Sequence, residues 1–253
     1  MTNKEIIFEL EKSASQFRLN CGFSSSDPIR WKSILQKNKI LTIYKPLSNQ
    51  VSGASVKIPN GIDFERYMLI NSNHSIGRQH FTICHELYHL MIQKEFSGSK
   101  TCLTTFDRKS DPNEYYADVF ASFLLLPESG VKMFIPPKEH KYDFISIQTI
   151  LEIEHYFSAS RKAVLYRLKN MNLISDKKVE LYSNSPKKDA LRLGYSTKLY
   201  ENGNENDIIG DYGLLAYSAW EKGIISESVY YNFLSDIGID LNNINTDSDG
   251  SDY

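Results

Sequence analysis

The sequence predicts an α+β fold, a small antiparallel sheet packed against helices and followed by a smaller C-terminal region. Three observations carry this. Residues 40 to 71 hold three short runs rich in β-branched and aromatic residues, broken by Pro, Asn and Gly. On either side the apolar period is helical, most strongly at 4–18, 75–95 and 111–126. Beyond Lys177, polar clusters such as "YSNSPKKD" and "YENGNEND" punctuate short apolar segments.

In order along the chain, Ile6, Ile7, Leu10, Ala14 and Phe17 form one stripe of a first helix. In "SSDPIRWKSILQKNK", Asp27 suits the cap of a second helix and Pro28 its first turn. "ILTIYKP", "VSGASVKI" and "YMLIN" are the three strands, with "PNG" at 59–61 as a turn. Phe81, Cys84, Tyr88 and Met91 recur at three and four, so a helix is expected over 75–95, with Gly98 as its stop. A loop of about 15 residues follows, long for a compact domain. Asp111 caps the next helix, Pro112 opens it and Pro127 ends it. Residues 128–142 read as irregular. "FISIQTILEIEHYF" and "RKAVLYRLKNMNLI", joined by "SAS", read as a helical pair. Residues 214–222 and 226–237 read as helices, and "NINTDSDGSDY" as a disordered acidic tail. The expected organisation is a main domain over 1–142, the helical pair over 143–177, a regulatory or substrate-recruiting region over 178–242, and the tail over 243–253.

Composition narrows the class. Of 253 residues, 41% are hydrophobic and 12% aromatic, enough for a buried core. A net charge of −2 gives no global pull toward nucleic acid or anionic membrane. Cys21, Cys84 and Cys102 are odd in number and form no CxxC pair, against both a disulfide scaffold and a thiolate zinc site. "MTNKEIIFELEK" has no signal-type apolar run, and no stretch approaches the ~20 apolar residues of a membrane helix. The expected compartment is the cytoplasm.

The chemistry concentrates in "FTICHELYHL" at 81–90. Residues four apart on a helix share a face, so His85 and His89 can converge on one zinc ion. Glu86 points to the adjacent sector and reaches the water rather than the metal, as the general base of an H-E-x-x-H arrangement. The plain alternative is an amphipathic helix with incidental polar residues. With six histidines in the chain, such a motif arises by chance in on the order of one chain in a hundred.

A catalytic zinc needs a third protein ligand and an open fourth position. "NEYYAD" at 113–118 offers Glu114 as that ligand. Asp118, one turn on, is the natural acceptor for the other N–H of a ligating histidine, with His85 the expected partner. Asn113 is placed beside them in the same outer layer. Glu114 alone would read as a helix-capping glutamate, three residues after Asp111.

Together, "GRQHFTICHELYHL" and "NEYYADVFASFLLLPES" resemble the ImmA/IrrE family of bacterial metallo-endopeptidases. The first segment matches at Arg78, Gln79, Phe81, Thr82, His85, Glu86 and His89. The second matches at Glu114, Ala117, Asp118, Phe120, Ala121, Leu125 and Pro127. The Asn-Glu-x-x-Ala-Asp run also looks like the Glu-bearing segment of thermolysin-like zinc proteases, the gluzincins. The resemblance covers roughly residues 5–175. It implies a zincin-like domain with Zn2+ on His85, His89 and Glu114, and Glu86 as base. It further implies a repressor or antitoxin-like protein as substrate, commonly one with a helix-turn-helix, in a bacterial or phage-related system. Tyr88 departs from the family, which often has Gly there, and is read as a packing residue.

Other residues bear on the chemistry and its alternatives. Tyr115, Tyr116, His140 and Tyr142 are candidates to steady a tetrahedral oxyanion. A strand between 40 and 72 is expected at the sheet edge, where an extended peptide could pair with it. Ser158 or Ser160 can cap the second helix of the 146–174 pair, and Arg161, Lys162, Arg167 and Lys169 give it a helix-turn-helix character. Packing against the core is preferred to DNA binding. His155 and His140 are set aside as structural. Cys84 lies about 100° from His85 around the helix and faces the core, against a cysteine-protease reading. The competing class is a non-catalytic metal-bound or DNA-binding regulator.

Overall fold

The computed structural model describes residues 2–103 and 111–239, so the expected acidic tail at 243–253 lies outside the described residues. Helix α1 (Asn3–Cys21) opens with a capping box between Thr2 and Glu5 and closes at Gly22 in the left-handed conformation. Helix α2 (Trp31–Lys37) starts later than expected and has no side-chain cap. Asp27 instead accepts from the Ser24 N–H at 2.6 Å and closes a turn ahead of the helix.

Strands β1 (Ile40–Lys45), β2 (Val51–Asn60) and β3 (Asp63–Asn71) are the three expected. Two more join them, β4 (Gly98–Leu103) and β5 (Ile208–Ile209), in the order β4-β2-β3-β1-β5. β2 runs antiparallel to β3 and β4, but β1 is parallel to β3, so the sheet is mixed rather than antiparallel. The connection after β1 carries the chain past one strand position, and the β2–β3 hairpin then returns β3 beside β1. The edges are therefore β4 and β5, not a strand from 40–72. Part of the long loop expected after residue 95 is β4 itself. Its letters, "GSKTCL", are mostly exposed and lack a strand's apolar alternation.

Helix α3 (Ile76–Leu87) passes directly into a π-helical turn (Tyr88–Ile92) and stops there, short of Gly98. Helix α4 (Pro112–Leu125) is capped by Asp111, which accepts from the Asn113 N–H at 2.9 Å, with Pro112 in its first turn. Helix α5 (Glu128–Lys132) precedes the pair α6 (Ile147–Phe157) and α7 (Arg161–Asn170), capped by Ser146 and Ser160. Helices α8 (Asp176–Tyr182), α9 (Pro186–Arg192), α10 (Tyr212–Glu221) and α11 (Glu227–Asp236) complete the described chain.

One hydrophobic cluster joins these elements. It takes Leu10, Ala14 and Phe17 from α1, Met68 and Ile70 from β3, Ile83 and Leu87 from α3, and Phe120 and Leu124 from α4. The α6–α7 pair adds Ile150, Phe157, Leu165 and Leu168 to the same cluster. Each such side chain contributes about 1.5–3 kcal/mol when fully buried. Two basic residues of α7 are also internal. Arg161 pairs with Glu154 and Asp189, and Arg167 donates to the Leu126 carbonyl at 2.8 Å. Neither guanidinium is presented to a phosphate backbone. No helix among the described residues is long and apolar enough to cross a membrane.

The C-terminal segment is stitched to the start of α3. Gln79 is fully buried; its amide donates to the His74 carbonyl at 2.8 Å and to Gly203 at 3.0 Å, and its oxygen accepts from Asn204 at 2.9 Å. β5 pairs with β1 just beyond. On its other side α3 meets the α6–α7 turn at Gly77, where a Cβ would lie 2.8 Å from the Ser160 nitrogen and 3.1 Å from the Ala159 carbonyl carbon. Alanine usually stabilises a helix relative to glycine. Here the opposite sign is expected, because both obstacles are backbone: Gly77→Ala should cost about 1–3 kcal/mol, read as a lower denaturant midpoint at unchanged slope.

Candidate metal centre

The site forms where α3 lies across the β2–β4 side of the sheet. Gly53 stands opposite Cys102 and Ser55 opposite Lys100 in the strand register, and alternate residues of a strand share a face. Gly53 is required for the close approach. A Cβ there would sit 2.8 Å from the Leu69 carbonyl and 2.9 Å from the Thr82 methyl, with a Glu86 oxygen at 3.5 Å. From the other side α4 brings Glu114 and Asp118.

His85, Glu86, His89 and Glu114 are all buried. The His85 and His89 Nε2 atoms are 3.3 Å apart. Glu114 completes a triangle, Oε2 lying 3.2 Å from His85 Nε2 and Oε1 3.4 Å from His89 Nε2. The outer nitrogens are held as well. His85 Nδ1 donates to Asp118 Oδ1 at 2.9 Å, and His89 Nδ1 to Gln93 Oε1 at 2.7 Å. Each Nε2 thereby faces inward, where it donates to Glu114 when protonated and would offer its lone pair to a metal once that proton is lost. Both Glu86 oxygens are buried without a hydrogen-bond partner. The π-helical turn carries His89 and Gln93 follows directly, so the turn sets the second imidazole and its support together.

The peptidase family M78, described as the IrrE N-terminal-like domain, matches residues 35–169. The chain belongs to this family. Among curated proteins none matches it. The matched span runs from α2 through α7 and contains every residue of the triangle.

Membership in this peptidase family implies a metal, and the donor set fits one. A tetrahedral ion with bonds of about 2.0–2.1 Å spaces its ligand atoms about 3.3–3.4 Å apart. The distances here are 3.2, 3.3 and 3.4 Å. Two inward imidazole nitrogens and a carboxylate meeting out of water also call for positive charge. Part of it is supplied by Lys100, whose Nζ lies 3.0 Å from Glu114 Oε1 and 2.7 Å from Asp111 Oδ2.

Of the other residues expected at the site, Asn113 accepts from the Tyr88 hydroxyl at 3.4 Å rather than touching the triangle. Tyr88 is buried against His89 and Phe120, a packing role. His140 is hydrogen-bonded to the Ile135 carbonyl, and Tyr142 is 60% exposed; neither hydrogen-bonds to the cluster. Tyr116 packs on the hydrophobic core, with the Tyr115 ring 6.0 Å away. His155 stacks on Tyr195. Cys84 is buried in the core cluster. Lys100, Cys102 and Gln93 were missed. The first two sit on a strand with no legible pattern, and only Gln93, four after His89, had a signal in its helical spacing.

Charge at the centre is set by burial against partners. Burial opposes ionisation of Glu114, but hydrogen bonds from His85 and His89 outweigh it and hold the carboxyl well below its ordinary range. Burial also opposes charging His85, yet the Cys102 sulfur, Asp118 and Glu114 carry the net shift upward. For Glu86 burial dominates, and its carboxyl is raised above its ordinary value of 4.5. A carboxyl that is harder to ionise folded than unfolded weakens the fold as pH climbs through that interval. Glu86→Gln keeps the shape without the charge. In metal-free protein it should stabilise the fold by about 1–3 kcal/mol at pH 7, with the difference closing below pH 4.5. Thermal unfolding across that range checks it; equal curves at every pH would show that Glu86 carries no buried charge.

Proposed function

We propose that the protein is a zinc-dependent endopeptidase that cuts a transcriptional repressor or antitoxin-like protein at a specific site. The carrying observation is Glu86, buried and unpartnered directly beside two imidazoles and a carboxylate at tetrahedral spacing. Zinc suits two nitrogens and one oxygen with a position left for water, so His85, His89 and Glu114 would hold it. When bound, the ion would polarise the scissile carbonyl and make water acidic enough to attack near neutral pH.

The chain's own residues supply the rest. Glu86 takes the proton from the attacking water and later delivers it to the leaving amine. Asp118 and Gln93 fix both imidazole tautomers. β4, at the sheet edge beside the site, offers the backbone groups of its outer side to an extended peptide. The substrate class rests on the family resemblance, whose members commonly act beside helix-turn-helix repressors and cleave them. A cytoplasmic location and restraint by a partner or signal belong to the same reading, since an unrestrained protease there would damage its host.

His85→Ala and Glu114→Ala should each abolish stoichiometric zinc, whereas Glu86→Gln keeps zinc and loses proteolysis. Asp118→Asn should weaken metal binding about 10–100-fold through loss of the tautomer support. Elemental analysis, metal titration and a cleavage assay on these variants separate the roles. Full zinc occupancy in the His85 variant defeats the ligand assignment. Incubation with the product of a neighbouring repressor gene should give a single chelator-sensitive cut; zinc binding without any cut would favour a non-catalytic regulator.

A further inference from the structure

A thiol reaches the same centre from β4. Cys102 is buried on β4, two register pairs from Lys100, whose ammonium already touches Glu114. Its sulfur, a ring nitrogen of His85 and a carboxylate oxygen of Glu114 all lie within 4.8 Å of one another. The fully buried Glu86 carboxylate, its oxygens without a hydrogen-bond partner, interacts electrostatically with His85, His89, Glu114 and the Cys102 thiol. The thiol's backbone contact is weak, 3.9 Å to the Leu103 carbonyl, and its side-chain partner is His85 itself. The Gly53–Cys102 pairing brings β4 in beside the strand that α3 crosses most closely, so the thiol is carried by the same close approach that places Glu86.

We infer that the Cys102 sulfur is a fourth donor to the metal and closes the position that hydrolysis needs open. The inference rests on the metallopeptidase reading above. Cys102 groups with His85 and Glu114, and with His89 beside them a thiolate would make four donors, the pattern of a closed site rather than a working one. As the sulfur–metal bond forms, the thiol releases its proton to solvent. As that bond breaks, the thiolate takes a proton back and a water fills the position. Because Cys102 sits on the edge strand, a peptide pairing along β4 acts on the backbone that carries the thiol. Substrate docking and release of the thiolate are thereby mechanically linked, and the enzyme rests latent without its substrate.

The test uses the full chain loaded with cobalt(II), whose thiolate bonds absorb in the near ultraviolet. Wild type is expected to bind one equivalent and to show the thiolate-to-cobalt band. Cys102→Ser should still bind cobalt, roughly tenfold or more weakly as for loss of a supporting group, without the band and with raised basal peptidase activity. X-ray absorption of zinc-loaded wild type counts the sulfur neighbour with no variant at all. One bound metal, no thiolate band and no sulfur neighbour would overturn the inference while leaving the metal centre standing. Retention of cobalt by His85→Ala would instead overturn the centre itself.

Discussion

Polar side chains gathered out of water must share charge and protons closely, and the site is built on that constraint. Two imidazole nitrogens and a carboxylate sit 3.2–3.4 Å apart in a buried space, with a second carboxylate alongside. No arrangement of neutral dipoles satisfies such a set. The fold tolerates it because the surrounding core is large and because Lys100 lends partial compensation. A divalent cation would take the place of the protons these groups now share, so a metal and protons compete for the same donors.

Holding that cluster in place takes supports from well outside it. The left wall is glycine-thin at Gly53, which lets a strand lie flush against α3. The right wall is α4, anchored from behind by Arg18, whose guanidinium donates to the Leu124 carbonyl at 2.6 Å and to Ser24 at 2.7 Å. The imidazoles are braced individually by Asp118 and Gln93. These contacts convert a flexible set of side chains into one geometry, the condition under which a small change in position is worth a large change in reactivity.

The legible part of this in the sequence is the local part. His85 and His89 are four apart, Glu114 and Asp118 are four apart, and helical geometry alone puts each pair on one face. Their meeting across two helices was readable only because both motifs occur together. What stayed hidden is non-local. β4 exists because it pairs with β2, not because its own letters favour a strand, so Lys100 and Cys102 could not be placed. The parallel pairing of β1 with β3 follows from connectivity that no window of residues encodes. Asp27 before Pro28 spells a helix start and a tight turn equally well, and the backbone chose the turn.

The Gln79 amide bears on how the molecule can be dissected. It is wholly enclosed, and beyond its bond to His74 it relies on Gly203 and Asn204, far along the chain. A fragment ending near residue 177 would strand that amide beside the histidine-bearing helix and uncover the β1 edge. Its failure to work would report a damaged scaffold rather than a missing recruitment module. Mapping the role of the distal region therefore calls for point changes on its outer surface, with the chain kept whole.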